Sequence, residues 1–264
     1  VRLDAKVSAR TRIEIVTEGV FTRMILDDPG LAGVSGIIFD DFHERSLDAD
    51  LGLALALEIR DGFRPDLRLL VMSATLDGAR VSKILGDAPV IEAQGRAFPI
   101  DISHLDRKPD ERLDEVMARA VMKTLGEEAG SILAFLPGTG EINGVARRLE
   151  SRLPTDVRLY LLHGTMEPAA QDEAIRPAPV GIRKVVLATS IAETSITIDG
   201  VRVVIDCGYQ RLPVFEPATG LTRLETVRAS KASVDQRAGR AGRTAPGIAL
   251  RLWNAAQTAS LPDF

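Results

Sequence analysis

The run from Gly36 to Arg45, G-I-I-F-D-D-F-H-E-R, constrains this chain most, because three large apolar side chains lead straight into two adjacent carboxylates. Ile37, Ile38 and Phe39 show no polar alternation, the pattern of a parallel strand covered on both faces. Parallel sheets bind ligands beyond the carboxyl ends of their strands, so Asp40 and Asp41 would stand at a ligand-binding edge. In a nucleotide hydrolase the first acid at such a place holds Mg²⁺, usually through water, and the second orients or deprotonates the attacking water. A solvated acidic turn after an ordinary strand is the bland alternative.

Around this stretch strands and helices alternate. Arg12 to Val16 (R-I-E-I-V) has a period of two and predicts a strand, after which Thr17-Glu18-Gly19-Val20 opens a helix carrying Phe21, Met24 and Ile25. Thr17 and Gly19 at that turn either leave backbone N–H groups for a phosphate or simply cap the helix. Leu47 to Ile59 predicts an amphipathic helix, Leu67 to Met72 a second apolar strand ending in Ser73-Ala74-Thr75, Val81 to Leu85 a helix and Val90-Ile91 a short strand. Gln94 to Pro99 breaks the pattern with glycine and proline and marks a boundary between residues 1–97 and 98–264. Beyond it Ile100 to His104, Ser131 to Leu136, Leu159 to Leu162, Val185 to Ala188 and Val201 to Ile205 read as strands. Helices read between them at Glu111 to Glu128, from Gly140 through Arg152, and at Met166 to Ile175. Leu212 to Glu216 and Leu221 to Val227 flank Pro217-Ala218-Thr219-Gly220 as a β-hairpin with a four-residue loop.

Composition narrows the class. A chain of 264 residues suffices for two compact domains, and with only 4% aromatic residues its core must be built from Ala, Val, Leu and Ile, as in stacked α/β layers. The one cysteine, Cys207, excludes an internal disulfide and a cysteine zinc cage, and points to a reducing compartment, the cytosol. No apolar run approaches the length of a membrane span, and Val1 to Arg12 lacks the apolar core of a signal peptide. The net charge of −4 argues against a basic coat, but Arg228 to Arg243 holds Arg228, Lys231, Arg237, Arg240 and Arg243 against Asp235 alone, a local anion site.

Within that site, Gln236 to Arg243 (Q-R-A-G-R-A-G-R) repeats arginine every three residues. On a helix Arg237, Arg240 and Arg243 would fall toward one face, and Gly239 and Gly242 would let another backbone approach. Clustered guanidinium groups repel one another unless an anion lies between them, and a triphosphate is the natural candidate. Thr189 to Ile198 (T-S-I-A-E-T-S-I-T-I) follows a strand and is rich in hydroxyls, which either donate to phosphates or cap a helix. A metal-hydrolase cluster of Asp40, Asp41, His43 and Glu44 is disfavoured, because neighbouring strand residues point to opposite faces and neither His104 nor His163 has a ligand-like spacing to them.

Taken together, Thr17-Glu18-Gly19, Asp40-Asp41-Phe42-His43, Ser73-Ala74-Thr75, Phe135-Leu136-Pro137-Gly138, Thr189 to Ile198 and Gln236 to Arg243 resemble the ordered motifs of superfamily 2 DEAH-type helicases, most closely the bacterial HrpB group. The resemblance implies an α/β fold of two RecA-like domains with parallel sheets flanked by helices, the first incomplete, plus a strand-separating hairpin in the second. It implies ATP and Mg²⁺ as ligands, and RNA as the polymer, single-stranded or partly duplex, with DNA as a second candidate. On this resemblance Asp40 takes the Mg²⁺ role, Asp41 polarises water, His43 links nucleotide state to the second domain, and Ser73 and Thr75 couple hydrolysis to strand movement. Gln236, Arg240 and Arg243 would reach the γ-phosphate, with Asp199 and Ile175 near the nucleotide. Thr17, Gly19, Gly138, Thr165, Thr189 and Ser190 would contact the RNA backbone.

Three departures carry expectations. The family has Glu where this chain has Asp41, and losing a methylene draws the carboxylate back in a reaction sensitive to such displacement. No Gly-Lys pair exists in the chain, so the phosphate loop G-x-x-x-x-G-K-[ST] is absent, which reads as an internal fragment expected to hydrolyse ATP negligibly on its own. Ile175 stands where relatives place an aromatic residue before Pro177-Ala178-Pro179, which predicts weak discrimination among bases. A non-catalytic nucleic-acid-binding module with a degenerate nucleotide site is the alternative function.

Overall fold

The computed structural model describes residues 7–8, 10–42, 46–73, 78–92, 98–108, 110–193, 196 and 198–263. Two compact units divide the chain, Val1–Ala93 and Gln94–Phe264.

The first unit contains α1 (Glu18–Asp27), β1 (Gly36–Phe39), α2 (Leu47–Gly62), β2 (Arg68–Val71) and α3 (Gly78–Ile84). Ser46 caps α2 by accepting the Ala49 N–H at 3.0 Å. Thr17 holds the N-cap position of α1 by its backbone, without a side-chain capping bond. β1 and β2 pair in parallel, with Ile38 beside Leu70 and Phe39 beside Val71. Phe39 meets the rings of Phe21 and Phe42 edge-on, and Leu53, Ala56 and Ile59 of α2 complete the core on that face. Gly52 permits the approach, since a Cβ there would come within 3.2 Å of the Phe21 ring.

Three sequence expectations fail in this unit. β1 is covered on one face only: Ile38 is 63% exposed and its register partner Leu70 is 49% exposed. Both helices α1 and α2 supply the core on the Phe39 side, and among the described residues nothing buries the other face. Arg12 to Val16 forms no strand, and Ile13 and Ile15 are 82% and 93% exposed. Alternation stabilises a strand only when a neighbouring strand and a core take up its two edges and its apolar face. Val90-Ile91 forms no strand for the same reason, with both side chains exposed.

The second unit runs β3 (Ile100–His104), α4 (Leu113–Glu127), β4 (Ser131–Phe135), α5 (Thr139–Leu149), β5 (Val157–Leu162), α6 (Pro168–Ile175), β6 (Arg183–Ala188), β7 (Val201–Asp206), β8 (Tyr209–Glu216), β9 (Leu221–Arg228), α7 (Lys231–Gly239) and β10 (Gly247–Arg251). Six strands form one parallel sheet in the order β3-β10-β7-β4-β6-β5. Here the unbroken apolar runs do mark strands covered on both faces. Ile132, Ala134, Val185, Leu187, Val203 and Ile205 pack into one core with α4 and α5, while Leu133, Phe135, Val186, Ala188 and Val204 pack into another on the opposite face. The fold class is thus mixed α/β with a parallel sheet between helices, as the resemblance implies.

Two cations, the half-buried Arg183 and the buried Lys184, close helix ends that would otherwise leave carbonyls unpaired. Arg183 donates to the carbonyls of Leu125, Glu128 and Gly130 at the end of α4. Lys184 donates to those of Glu173, Ala174 and Arg176 at the end of α6 and lies over the Tyr160 ring. β8 and β9 pair antiparallel as a separate ribbon, with Glu216 opposite Leu221 across the four-residue loop, so the hairpin expectation is met. Among the described residues no helix is long and apolar enough to cross a membrane.

Candidate functional site

In the first unit the carboxyl ends of β1 and β2 lie side by side. Met72 N–H donates to the Phe39 carbonyl at 2.8 Å and Phe42 N–H returns to the Met72 carbonyl at 3.0 Å, so Asp40-Asp41 and Ser73 share one edge. Asp40 is exposed, and its Oδ1 accepts the Asp41 N–H at 2.9 Å. Asp41 has φ +50°, a left-handed conformation that Asp enters more readily than longer side chains because its carboxylate can bond locally. Ser73 is exposed. Thr17 and Gly19 are exposed at the start of α1, and a Cβ at Gly19 would meet open space. His43 and Thr75 lie outside the described residues.

In the second unit the parallel register gathers one set of expected residues at the carboxyl ends of three adjacent strands. Gly138 follows β4, Thr165 follows β5, and Thr189 and Ser190 follow β6. Leu136 N–H donates to the Ala188 carbonyl at 2.8 Å and Thr189 N–H to the Leu162 carbonyl at 3.1 Å, which ties the three loops together. Thr165 and Ser190 are exposed, and Thr165 Oγ1 lies 3.0 Å from His163 Nδ1. Gly138, the N-cap of α5, lies beneath the Arg211 side chain of β8: a Cβ there would sit 2.7 Å from the guanidinium. Sequence reasoning did not single out Arg211, whose only signal was a basic residue at the base of the predicted hairpin.

The arginine repeat departs from the expectation of one helical face. α7 ends at Gly239, because the Arg240 and Ala241 N–H groups turn back to the carbonyls of Arg237 and Ala238 at 3.1 and 3.0 Å and tighten the last turn. Gly242 does make a close approach, since a Cβ there would come within 2.8 Å of the Phe98 carbonyl oxygen, whereas Gly239 faces open space. Arg243 is exposed, and Gln236 is half-buried.

Arg237 needs no external anion. Fully buried, it donates from Nε to Glu193 Oε2 at 2.9 Å, from Nη1 to Asp206 Oδ1 at 3.0 Å and to the Tyr209 carbonyl at 3.2 Å, and from Nη2 to Gln210 Oε1 at 3.3 Å. Its guanidinium stands over the Phe135 ring at 5.1 Å. Burial works against its charge, but Asp206 and Glu193 outweigh burial and hold its pKa above the ordinary value. Arg240 donates from Nε to the Glu193 carbonyl at 2.8 Å and from Nη1 to the Ile196 carbonyl at 3.0 Å. Glu193 and Asp206 are the residues that sequence reasoning missed. Their signals were an acid inside the hydroxyl-rich run and an acid directly after the apolar strand V-V-I, the same juxtaposition as at Asp40.

Ile175 is the half-buried last residue of α6, beside the carbonyls that Lys184 holds, and Asp199 is exposed. Cys207 follows β7 fully buried, and burial pushes its thiol up to about 12, so it is no nucleophile. Among the described residues no group of three or more His, Cys, Asp or Glu could hold a metal ion by itself. Asp40 with its exposed carboxylate does suit Mg²⁺, which keeps several waters and takes one or two carboxylates together with substrate phosphates.

Comparison with known proteins gives a consistent result. The family described as "Helicase conserved C-terminal domain" matches residues 90–245, more than half of the chain. Over 246 residues the chain is 54% identical to ATP-dependent RNA helicase HrpB of Escherichia coli (strain K12), covering 93% of this chain and 30% of that protein. The crystal structure of Escherichia coli DEAH/RHA helicase HrpB matches with a TM-score of 0.91 and 52% identity over 97% of this chain and 33% of that one. The crystal structure of E. coli DExH-box NTPase HrpB matches with a TM-score of 0.90 and 51% identity over 100% and 32%. The chain therefore spans about a third of the length of these relatives. With its parallel sheet, its hairpin and its ordered motifs, the chain belongs to the helicase conserved C-terminal domain family and is a relative of the DEAH-type helicase HrpB.

Proposed function

We propose that this chain is the nucleotide- and RNA-handling part of an ATP-dependent RNA helicase of DEAH type, acting in the cytoplasm, with residues 1–97 belonging to a first RecA-like domain and 98–264 forming the second. The observation that carries this reading is the convergence of Gly138, Thr165, Thr189 and Ser190 at the ends of β4, β5 and β6 in a chain so similar to HrpB. Backbone N–H groups and hydroxyls at such an edge bind a phosphodiester backbone without reading its sequence, and would grip RNA or a single DNA strand alike. Thr17 and Gly19 would do the same in the first unit.

Asp40 would hold Mg²⁺ through water, and the bound ion would draw charge from the phosphates. Asp41 would orient the attacking water, His43 and the pair Ser73 and Thr75 would couple nucleotide state to strand movement, and Gln236, Arg240 and Arg243 would stabilise charge on the γ-phosphoryl group. Asp199 and the aliphatic side of Ile175 would flank the nucleoside. Cycles of ATP binding and release would then move the strand by alternate grips. A second reading, an RNA clamp without turnover, is favoured by the short Asp41 carboxylate at its left-handed position.

Fluorescence anisotropy with a labelled oligouridylate tests the RNA edge. The purified chain should bind it, and a Thr189→Ala, Ser190→Ala double variant should weaken binding about a hundredfold or more, two hydrogen bonds to a charged group of about 1.5 kcal/mol or more each having been removed. Equal affinity in the double variant would reject this edge as the RNA site.

A further inference from the structure

Guanidinium groups and aromatic rings alternate at the base of the hairpin. Tyr209, the first residue of β8, and Arg228, the last of β9, are register partners. Arg228 lies over the Tyr209 ring at 5.1 Å and over the Trp253 ring at 5.9 Å, Arg107 lies over Tyr209 at 5.8 Å, and Arg251 over Trp253 at 5.6 Å. His104 meets Trp253 edge-on, and burial together with Arg251 holds its pKa below the ordinary value, so the positive charge here belongs to the three arginines.

A carboxylate answers only one of them. Buried Arg251 donates from Nη2 to Asp235 Oδ1 at 2.6 Å, and its Nε is buried without a partner among the described residues. Arg107 donates to the Glu111 carbonyl at 3.1 Å, while Asp106 beside it in the chain accepts from Asn254 Nδ2 at 3.3 Å. Half-buried Arg228 forms no ion pair and its guanidinium donates no hydrogen bond among the described residues. Rings offset the charge of a cation but take up few of its N–H donors, which stay available to an anion. Arg237 shows the contrast, since it finds two carboxylates, a carbonyl and an amide oxygen inside the protein.

The arginines stand on the same edge of the sheet as Gly138, Thr165, Thr189 and Ser190. Leu105 N–H donates to the Arg251 carbonyl at 2.8 Å, Leu252 N–H to that of Asp206 at 2.8 Å and Cys207 N–H to that of Phe135 at 3.3 Å, which continues the row already described from Leu136 and Thr189. The loops of all six strands therefore leave one hydrogen-bonded edge, with hydroxyls over its β4-β6-β5 half and arginines over its β3-β10-β7 half. Arg211, two residues from Tyr209 on β8 and above Gly138, stands between the halves. Resting on the function proposed above, we infer that Arg228 and Arg107 form a phosphate-binding site that holds the RNA strand at the base of the hairpin, so that the strand crosses the arginine half of the edge as well as the hydroxyl half. Guanidinium forks match phosphate oxygens, and the flanking rings keep Arg228 aimed before the strand arrives.

The test measures binding of a labelled oligouridylate to the complete protein that carries this chain, without nucleotide and over a series of salt concentrations. The oligouridylate should be long enough to cross the six strands, about 24 Å at roughly 4.8 Å per strand spacing. Arg228→Gln should raise Kd about tenfold to a hundredfold, the range for a lost hydrogen bond to a charged group. It should also lower the slope of log Kd against log salt by about 0.7, the change expected when one phosphate of a single strand is no longer neutralised. An arginine that only braces the hairpin would lower the thermal midpoint and leave both the Kd and the slope as they were, and that result overturns the inference. Should Arg228→Gln lose its cooperative thermal transition, Arg107→Gln carries the same comparison with the same fall in slope expected. Weakened binding in the Thr189→Ala, Ser190→Ala double variant but not in the arginine variants would sink the inference alone. The reverse pattern would sink the hydroxyl edge and keep the arginine site, and a complete protein that does not bind the oligouridylate would sink both.

Discussion

Asp41 sets local backbone against chemistry. Its φ of +50° is imposed by the two bonds that tie Phe39 and Phe42 to Met72, and a short acid tolerates that conformation better than a long one. The Glu that the family resemblance implies at this position would extend the carboxylate toward the water that the proposed mechanism has it orient, at some conformational cost. Asp41→Glu should therefore raise RNA-saturated ATP hydrolysis about tenfold, given that an ångström of misplacement can cost a hundredfold. The same change should lower stability by about 1 kcal/mol or less, a fraction of the roughly 1–3 kcal/mol that holding any non-glycine residue in the left-handed region costs, since Asp41 already bears most of it. Turnover assays and urea midpoints check both, and an unchanged or slower rate would count against a water-orienting role. The two acids at a strand end were legible in the sequence, since apolar residues running into carboxylates describe a strand leaving its sheet. The handedness of Asp41 was not, because a contact from β2 determines it.

Elements were legible wherever their partners are present. The apolar runs of β4, β6 and β7 announced a parallel sheet buried on both faces, and that is how they fold. The same logic overreached at β1, and it failed for Arg12 to Val16 because a period of two specifies a strand only when another strand accepts it. The arginine repeat shows a different limit. A helical period predicted one charged face, but α7 stops at Gly239 and Arg237 turns inward to Asp206 and Glu193. Non-local pairing decides such a case, and nothing in the spacing of the arginines encodes where the acids lie. Removing the cation leaves two carboxylates buried without compensation, so Arg237→Met should destabilise the chain by about 3–5 kcal/mol. Urea denaturation measures this, and a loss under about 1 kcal/mol would show that the ion network does not hold the end of α7.

At the scale of the whole molecule, a net charge of −4 fits the proposal that RNA would meet a narrow edge of hydroxyls and backbone N–H groups rather than a basic surface. The edge was legible from strand order, because parallel strands deliver their following loops to one side. How the loops are wired was not: Glu193 meets Arg237 and Arg240, which lie 44 and 47 residues further along the chain. The chain holds no Gly-Lys pair, so the nucleotide chemistry proposed for it calls for a phosphate loop supplied by the complete protein. The most direct test of the account is ATP hydrolysis with and without saturating single-stranded RNA, by this chain alone and by the protein that joins it to such a loop. The account predicts negligible turnover by the chain alone, and turnover that RNA accelerates about tenfold or more in the complete protein, an allosteric coupling of ordinary size. Clear turnover by the chain alone, or a complete protein indifferent to RNA, would contradict it.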